Sequence, residues 1–310
     1  MAAIADFDYR PLELVVVDCA STDGSLRSAR DHAPTGLPAC FVGLEDNRGF
    51  AGGMNVAFGE CDAPLILSLN PDASPAADFV TRLVACLESH PEMKVGAITG
   101  RLTRPMDGRG NSRLDACGMH LTWTWRHLDR GSGRIDRGQY GRVERVFGAT
   151  GAASLFVRRA LEDAAVEGTV FDPDFHTYRE DAELCFRLRQ RGWEVLYEPL
   201  AIAVHGRVNR PGRRRRMTRA VNRHSLKNRY LLRAYHQSAA NLALTLLPSL
   251  WRDLLALGYV LTIERSSLPA YAWLWRNRQR ILARRRLLRQ RRTASLWALE
   301  RWFVRRSLPL

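Results

Sequence analysis

Short apolar runs alternate with helix-like segments through the first two hundred residues. The runs are rich in Val, Ile and Leu and occupy residues 12–17, 65–69, 95–98, 153–157 and 195–204. Continuous apolar runs of this length are typical of strands that helices cover on both faces. Between them, the segment at residues 23–30 has a Ser-Thr-Asp-Gly helix start at residues 21–24, and residues 76–89 carry an apolar stripe at helical spacing. The alternation predicts an α/β sandwich.

Polar side chains follow three of these runs at the point where each strand ends. They are Asp18, the Asn70-Pro71-Asp72 segment and His205. Ligands of open α/β sheets bind in the crevice at the carboxyl ends of the strands, so the three positions are candidates for one site. Polar residues also end strands by default, and the pattern alone leaves both interpretations open.

The Asn70-Pro71-Asp72 segment is the most suggestive short element. An extended backbone at Pro71 would point Asn70 and Asp72 the same way, toward one cation or phosphate. Hard oxygen ligands suit Mg²⁺ or Mn²⁺. A simple strand-ending turn explains the spacing equally well.

A glycine-rich stretch spans residues 47–55 and reads Asn-Arg-Gly-Phe-Ala-Gly-Gly-Met-Asn. Gly49, Gly52 and Gly53 would let the backbone approach a ligand, and the N–H groups of a following helix can hold phosphate. The stretch matches neither the GxGxxG fingerprint nor a P-loop. By itself it favours a plain turn over a phosphate cradle.

Asp181 and His205 are the candidate catalytic and metal-binding groups. Asp181 follows Tyr178-Arg179-Glu180 at the start of a helix with apolar residues at Leu184 and Leu188, where the helix dipole favours a carboxylate. It suits a general base, or a helix cap that only stabilises. His205 suits a metal ligand or a structural histidine. The chain has no HExxH motif and no GxSxG elbow, which argues against a zinc hydrolase or a serine nucleophile.

Composition and charge divide the chain into two regions. The 310 residues are 46% hydrophobic and 25% charged, as in globular proteins, and the six cysteines form no CxxC pair, so we expect a reducing, cytoplasmic location. The amino terminus shows no secretory signal. Residues 1–206 hold 22 basic and 29 acidic residues, whereas residues 207–310 hold 25 and 3. The first region is predicted to carry the chemistry and the second to meet an anionic partner.

The cationic region also contains a broken apolar stretch. Residues 237–251 include Pro248, then Arg252 and Asp253 interrupt, and residues 254–263 continue. Neither piece reaches the roughly 18 to 20 residues that span a bilayer, so we predict helices lying at the surface of an anionic membrane. The tryptophans near the arginines fit the headgroup region. Nucleic-acid binding is the less favoured interpretation of the arginines, and packing of these helices on the first region is a third.

Read in order, the motifs resemble those of the family 2 glycosyltransferases with the GT-A fold, in particular the rhamnosyltransferase-like branch. The likeness covers residues 4–235, and the motifs that carry it are VVVDCASTDGS (15–25), EDNRGFAGGMN (45–55), LNPDA (69–73), GATGAASLFVRR (148–159), FDPDFHTYREDAELCFRLRQRGW (171–193) and YEPLAIAVH (197–205). Their ordered co-occurrence is far more specific than any single motif.

The resemblance implies roles for these positions. Asp18 would contact the base or ribose of the nucleotide, and Asp72 with His205 would hold Mg²⁺ or Mn²⁺ on the donor diphosphate. Asp181 would deprotonate the acceptor hydroxyl in a single inverting displacement. The remaining residues expected near the nucleotide are Asn47, Gly49, Gly52, Gly53, Asn55 and Asn70.

The resemblance also implies a substrate class and a location. The expected donor is dTDP-L-rhamnose or a UDP-sugar, and the expected acceptor is a lipid-linked or membrane glycan at the inner face of the plasma membrane. Two departures are noted: the family's usual first strand is missing, so the sandwich would lack it, and Cys19 stands where Asn is usual. An alternative is a catalytically impaired relative that binds membranes or nucleic acid through its basic region.

Overall fold

The computed structural model describes residues 1–106, 108, 110, 112–206 and 217–310, and the basic segment 207–216 lies outside this description. Its strands are β1 (Leu14–Asp18), β2 (Ala39–Gly43), β3 (Leu65–Leu69), β4 (Ala73–Pro75), β5 (Val95–Thr103), β6 (Leu114–Ala116), β7 (Met119–Leu121), β8 (His127–Asp129), β9 (Glu144–Arg145), β10 (Ala153–Val157) and β11 (Glu194–His205). Its helices are α1 (Ala2–Ala5), α2 (Ser25–Asp31), α3 (Gly49–Gly59), α4 (Phe79–Glu88), α5 (Arg158–Ala164), α6 (Glu180–Gln190), α7 (Arg219–His236), α8 (Ala239–Thr262), α9 (Pro269–Arg276), α10 (Arg278–Arg291) and α11 (Leu296–Glu300).

A seven-stranded mixed sheet forms the centre of the fold. Its order is β3-β10-β5-β11-β4, with β6 beside β5 and β9 beside β11. Strands β5 and β11 run parallel, and β10 lies antiparallel to both β3 and β5. This confirms the predicted α/β class, and each of the five predicted apolar runs overlaps a strand. In the described chain β1 bonds only to β2, as a separate parallel pair.

The carboxyl-terminal helices share a hydrophobic core with the first region. One cluster joins Phe147 and Phe186 to Leu231, Ile281 and Trp302, all buried. A backbone pair also joins Arg145 N–H to the Leu308 carbonyl at 2.9 Å, and Leu308 N–H to the Arg145 carbonyl at 2.9 Å. The division at residue 206 is therefore a division of charge, and the two regions pack as one body.

Helix α8 differs from the sequence expectation. The prediction of two short apolar pieces was wrong, because the helix continues through Pro248 and the following Arg252 and Asp253 as one 24-residue segment. At 1.5 Å per residue it is about 36 Å long. Within the described residues it is the one helix long and apolar enough to cross a membrane by length and composition.

Polar residues of α8 face the protein body. Asn241 accepts a 2.7 Å hydrogen bond from the indole N–H of Trp125, and Ser249 donates to the Trp123 carbonyl at 3.3 Å. Asp253 accepts from Arg229 of α7 at 2.8 Å. These contacts hold the helix along the protein surface for most of its length and leave its leucines outward.

Candidate functional site

Four of the residues selected from the sequence meet in one large cavity. Its volume is about 1360 Å³, and its lining includes Asn70, Asp72, Asp181 and His205. Asn70 and Asp72 follow β3, His205 ends β11, and Asp181 lies in the first turn of α6. The fold thus brings these four residues to one cavity, and their roles stay predictions.

The Asn70–Asp72 segment has a different backbone from the one expected. Ala73 N–H bonds to the Asn70 carbonyl at 3.0 Å, so Pro71 lies in a tight turn and the prediction of an extended segment was wrong. Pro favours the second position of such turns because its φ is already fixed there. Asn70 N–H is bound to the Ala152 carbonyl at 2.8 Å, which fixes the turn at the cavity edge.

His205 is held by a chain of buried polar groups. Its Nδ1 lies 2.8 Å from Oδ2 of Asp115, which is fully buried on β6. Arg104 donates through Nε to the other oxygen of Asp115 at 3.2 Å. Because the Asp115 carboxylate can only accept a hydrogen bond, we assign the ring N–H of His205 to Nδ1. The lone pair of Nε2 then faces the cavity. A carboxylate behind a histidine orients metal ligands in this way.

The Nε2 atom of His205 lies 3.2 Å from Oδ1 of Asp72. When Nδ1 carries the proton, both of these atoms are acceptors, and a proton or a cation between them removes their repulsion. Neighbouring ligands of an octahedral cation with 2.0–2.1 Å bonds are about 3 Å apart, so the pair fits Mg²⁺ or Mn²⁺.

Among the described residues no group of three or more His, Cys, Asp or Glu side chains forms a metal site. Two protein ligands are nevertheless a usual set for a cation that also takes water and substrate phosphate. Asp72 and His205 therefore fit two positions of a divalent cation whose other ligands come from outside the protein.

Asp181 lies at the junction of α6 and the loop that follows residue 149. Its Oδ2 accepts from Gly151 N–H at 3.2 Å and its Oδ1 from Ala182 N–H at 2.7 Å. Its neighbour Glu180 is buried, and burial together with the charge of Asp181 raises the pKa of Glu180 well above its usual range. Glu180 thus carries a proton at pH values where an ordinary carboxyl has lost it.

The loop before α6 is strained. His176, Tyr178 and Arg179 have positive φ angles of 59°, 67° and 74°, a conformation that side-chain-bearing residues rarely adopt. Asn228 of α7 donates through Nδ2 to the carbonyls of Phe175, Thr177 and Tyr178, 2.7, 2.8 and 2.7 Å away. Strain of this kind persists only where the surroundings hold it.

The glycine stretch forms the start of α3 and packs against the same loop. Gly49 has φ +66°, and a Cβ there would stand 2.3 Å from the His176 carbonyl. His176 Nε2 lies 3.1 Å from the Asn47 carbonyl, and Ala51 N–H bonds to the His176 carbonyl at 3.0 Å. The close approach that Gly49 permits is therefore to the strained loop.

The other residues expected near the nucleotide do not line the cavity in the described structure. Asp18 ends β1 and accepts from Ser21 N–H at 2.9 Å. Asn55 exchanges two 2.8 Å hydrogen bonds with the backbone of Phe171, and a Cβ on Gly53 would lie 3.0 Å from Cys19 Sγ. A Cβ on Gly52 would meet the Arg48 side chain at 2.3 Å. These contacts show packing roles, and nucleotide contact at these positions stays a prediction.

Sequence reasoning missed several residues of the site. Asp115 was not selected because it lies in a short strand without a motif, and Asn228 because it lies in the basic region. Arginines of the C-terminal region also line the cavity, among them Arg229 and Arg252. The sequence indicated the positive charge of the C-terminal region, but it did not indicate that Asp115, Asn228 or these arginines belong to the site.

The fold is a mixed α/β sheet with a polar cavity at its strand ends, and the comparison with known families is consistent with this class. The sequence profile of glycosyl transferase family 2 matches residues 1–163. Because this is more than half of the chain, the protein belongs to glycosyltransferase family 2.

Individual relatives are more distant. An N-acetylglucosaminyltransferase of Azorhizobium caulinodans is 26% identical over 213 residues, covering 66% of this chain and 49% of the relative. The chain thus spans about half the length of that relative. Among solved structures, S. aureus TarS 1–349 in complex with UDP-GlcNAc has a TM-score of 0.51 at 15% identity, covering 98% of this chain and 85% of that chain. GalNAc-T7 with UDP, GalNAc and Mn²⁺ has a TM-score of 0.50 at 14% identity, covering 72% and 41%. These two likenesses establish the GT-A-like fold.

Proposed function

We propose that this protein transfers a sugar from a nucleoside diphosphate to an acceptor hydroxyl, with inversion at the anomeric carbon. The observation that carries the proposal is the cavity shared by the Asp72–His205 pair and Asp181. Glycosyl transfer requires stabilisation of the leaving diphosphate and removal of a proton from the acceptor hydroxyl. The Asp72–His205 pair suits the first requirement, and the Asp181 carboxylate suits the second.

Asp181 is the proposed general base. It takes the proton of the acceptor hydroxyl while the acceptor oxygen bonds to the anomeric carbon and the bond to the diphosphate oxygen breaks. Asp72 and His205 would hold Mg²⁺ or Mn²⁺, which supplies positive charge to the departing diphosphate. Arg104 and Asp115 keep His205 in the required orientation.

The donor is proposed as dTDP-L-rhamnose or a UDP-sugar. The rhamnose choice rests on the motif likeness described above. The relatives are an N-acetylglucosaminyltransferase and a structure that binds UDP-GlcNAc, and they support a UDP-hexosamine as the other choice.

Calorimetric titration of the purified chain tests the donor site. We expect dTDP or UDP to bind with Mn²⁺ and to bind at least tenfold more weakly without it, and GDP serves as the comparison nucleotide. An Asp72→Asn variant should lose the Mn²⁺ dependence. If none of the three nucleotides binds, the proposed donor site is wrong.

We also propose that the protein lies on the inner face of an anionic membrane, where it meets a lipid-linked or membrane glycan acceptor. The support is the apolar outer side of α8, where Leu247 is 76% and Trp251 65% exposed. Trp275 of α9 and Trp297 of α11 are also exposed, and the region carries a large positive charge. Apolar and aromatic residues with cations are the usual composition of an interfacial membrane surface.

Vesicle flotation of the full chain tests this location. Vesicles that contain phosphatidylglycerol should carry the protein upward, and neutral phosphatidylcholine vesicles should carry less of it. Leu247→Glu with Trp251→Glu should reduce flotation at least tenfold, whereas Met106→Glu, at another exposed apolar residue, should not. Release of the protein by competing duplex DNA with no dependence on α8 would contradict the membrane proposal.

A further inference from the structure

The cavity contains more positive charge than the donor chemistry uses. Among the described residues its lining holds eight arginines and four carboxylates. Three of these arginines come together from separate elements: Arg126 precedes β8, Arg229 lies on α7 and Arg252 on α8. All three line the same cavity. Burial, together with the positive charges of Arg252 and Arg229, lowers the pKa of Arg126, as expected for guanidinium groups that face one cavity.

The carboxylates of the protein leave this cluster incompletely neutralised. Arg229 donates to Asp253 at 2.8 Å, but Asp253 also accepts from Arg233. In the described chain Arg126 and Arg252 form no ion pair. The Nε atoms of Arg229 and Arg252 are buried without a hydrogen-bond partner, and Arg229 is only 6% exposed.

Three guanidinium groups, of which Arg229 alone has a carboxylate partner among the described residues, form a site for an anion. Guanidinium donors match the oxygens of a phosphate group in pairs, and charge-assisted hydrogen bonds of this kind are strong. A buried donor without an acceptor is costly, so an anion that accepts from the two Nε groups would also remove that cost.

We infer that Arg126, Arg229 and Arg252 bind a phosphate group of the sugar acceptor, separately from the diphosphate of the donor. The inference rests on the proposed function and specifies its acceptor as a phosphate-bearing molecule. Helix α8 supplies Arg252, Leu255 and Tyr259 to the cavity wall and has exposed leucines on its other side. The anion site therefore lies beside an apolar surface, which suits an acceptor whose phosphate joins a sugar to a lipid.

The test uses the full chain with its donor site already filled by Mn²⁺ and the nucleoside diphosphate that it binds. The probe is N-acetylglucosamine 1-phosphate, and methyl N-acetylglucosaminide is its uncharged counterpart. We expect the phosphate probe to bind at least tenfold more tightly than the uncharged one. Arg126→Gln and Arg252→Gln should each weaken the phosphate probe about tenfold, which is about 1.4 kcal/mol.

The variants are chosen to leave the fold intact. The hydrogen bonds described for Arg126 are made by its backbone: its N–H donates to Thr122 Oγ1, and its carbonyl accepts from the Thr122 N–H. Arg229 is left in place because it joins α7 to α8 through Asp253. Arg276→Gln is the matched control, since Arg276 is exposed and lies outside the cavity lining. Thermal denaturation of each variant should match that of the wild type.

The outcomes separate this inference from the proposed function. If none of the nucleotides binds, the donor site itself is refuted. The acceptor site is refuted if the wild type binds the nucleotide but binds neither N-acetylglucosamine 1-phosphate nor the farnesyl diphosphate used below. It is also refuted if both variants bind N-acetylglucosamine 1-phosphate as tightly as the wild type does. Loss of nucleotide affinity in the two variants would assign these arginines to the donor and also overturn the inference.

A second arm identifies the source of the phosphate. Farnesyl diphosphate in detergent micelles is compared with N-acetylglucosamine 1-phosphate in competition for the same site. Tighter binding of the lipid, lost on Arg252→Gln, indicates a lipid headgroup. Equal binding of the two indicates a soluble or polymeric phosphate, and either result supports the anion site.

Discussion

Asn228 is the residue of the basic region whose replacement should most affect catalysis. Its side chain is fully buried. Its Nδ2 amide group donates hydrogen bonds to the carbonyls of Phe175, Thr177 and Tyr178 in the strained loop before Asp181. Asn228→Asp keeps the size of the side chain and replaces the donor with carboxylate oxygens. Three buried carbonyls would then face an anion.

The magnitude follows from the hydrogen bonds that are lost. Two N–H donors contribute about 1 kcal/mol each, and carbonyls left without a donor cost at least as much again, so the free energy of unfolding should fall by about 4 kcal/mol. Most domains are stable by about 5–15 kcal/mol, so the variant still folds. The loop, freed from its restraint, can relax its positive φ angles and displace Asp181. A displacement near 1 Å costs about 100-fold in rate.

Three measurements check this reasoning. Urea denaturation gives the stability, steady-state transfer gives kcat, and nucleotide titration gives donor affinity, which should stay within twofold of wild type. Lowering the pH should partly restore the stability of the variant, because the introduced carboxyl regains a donor when it is protonated. Asn277→Asp is the control, since Asn277 donates to one carbonyl, that of Trp273. Wild-type stability and kcat in Asn228→Asp would refute the role assigned to α7.

Three further predictions concern the site and its support. Asp181→Asn should lower kcat at least 1000-fold and leave nucleotide affinity unchanged, and a variant that transfers sugar at the wild-type rate would exclude Asp181 as the base. Asp115→Asn should weaken Mn²⁺ binding in the presence of nucleotide by about 10- to 100-fold, measured by titration, because the tautomer of His205 is no longer fixed. Burial opposes ionisation of Glu183, but Arg187 and His236 outweigh it and lower the pKa of Glu183 from 4.5 to about 2. Because the folded-state pKa is depressed, this stabilisation is complete above pH 4.5 and is lost as the pH falls toward 2. It amounts to about 3 kcal/mol at 1.36 kcal/mol per pKa unit, and urea denaturation across this range should show the loss in wild type and not in Glu183→Gln.

The sequence was informative where function depends on local pattern. The runs at residues 65–69 and 153–157 become β3 and β10 with the same bounds. Both have a continuous apolar signature, although β10 is buried along most of its length and β3, at one end of the sheet order, is mostly half-buried. Asp72, Asp181 and His205 were selected because polar groups at strand ends and helix starts converge in α/β sheets. The three residues line one cavity, and the roles assigned to them stay predictions.

The sequence was uninformative where contacts are distant. Nothing near Asp115 indicates that it supports His205, 90 positions later, and nothing near Asn228 indicates that it holds a loop 50 positions earlier. The apolar stretch that forms α8 was divided at Arg252 and Asp253 because charged residues interrupt an apolar run. Contacts of Asn241, Ser249 and Asp253 with the protein body hold it together instead, and such contacts have no local signature.

The pairing of Arg145 with Leu308 has a consequence for synthesis of the chain. The two residues are 163 positions apart, and the core cluster that contains Phe147 also requires Trp302. A ribosome must therefore release residue 308 before the catalytic region can reach its final packing, and the earlier segments wait with apolar surfaces uncovered. Contacts this distant in sequence slow folding. Nascent chains of this protein should consequently depend on chaperones, and products cut short after residue 206 should aggregate rather than act as a smaller enzyme.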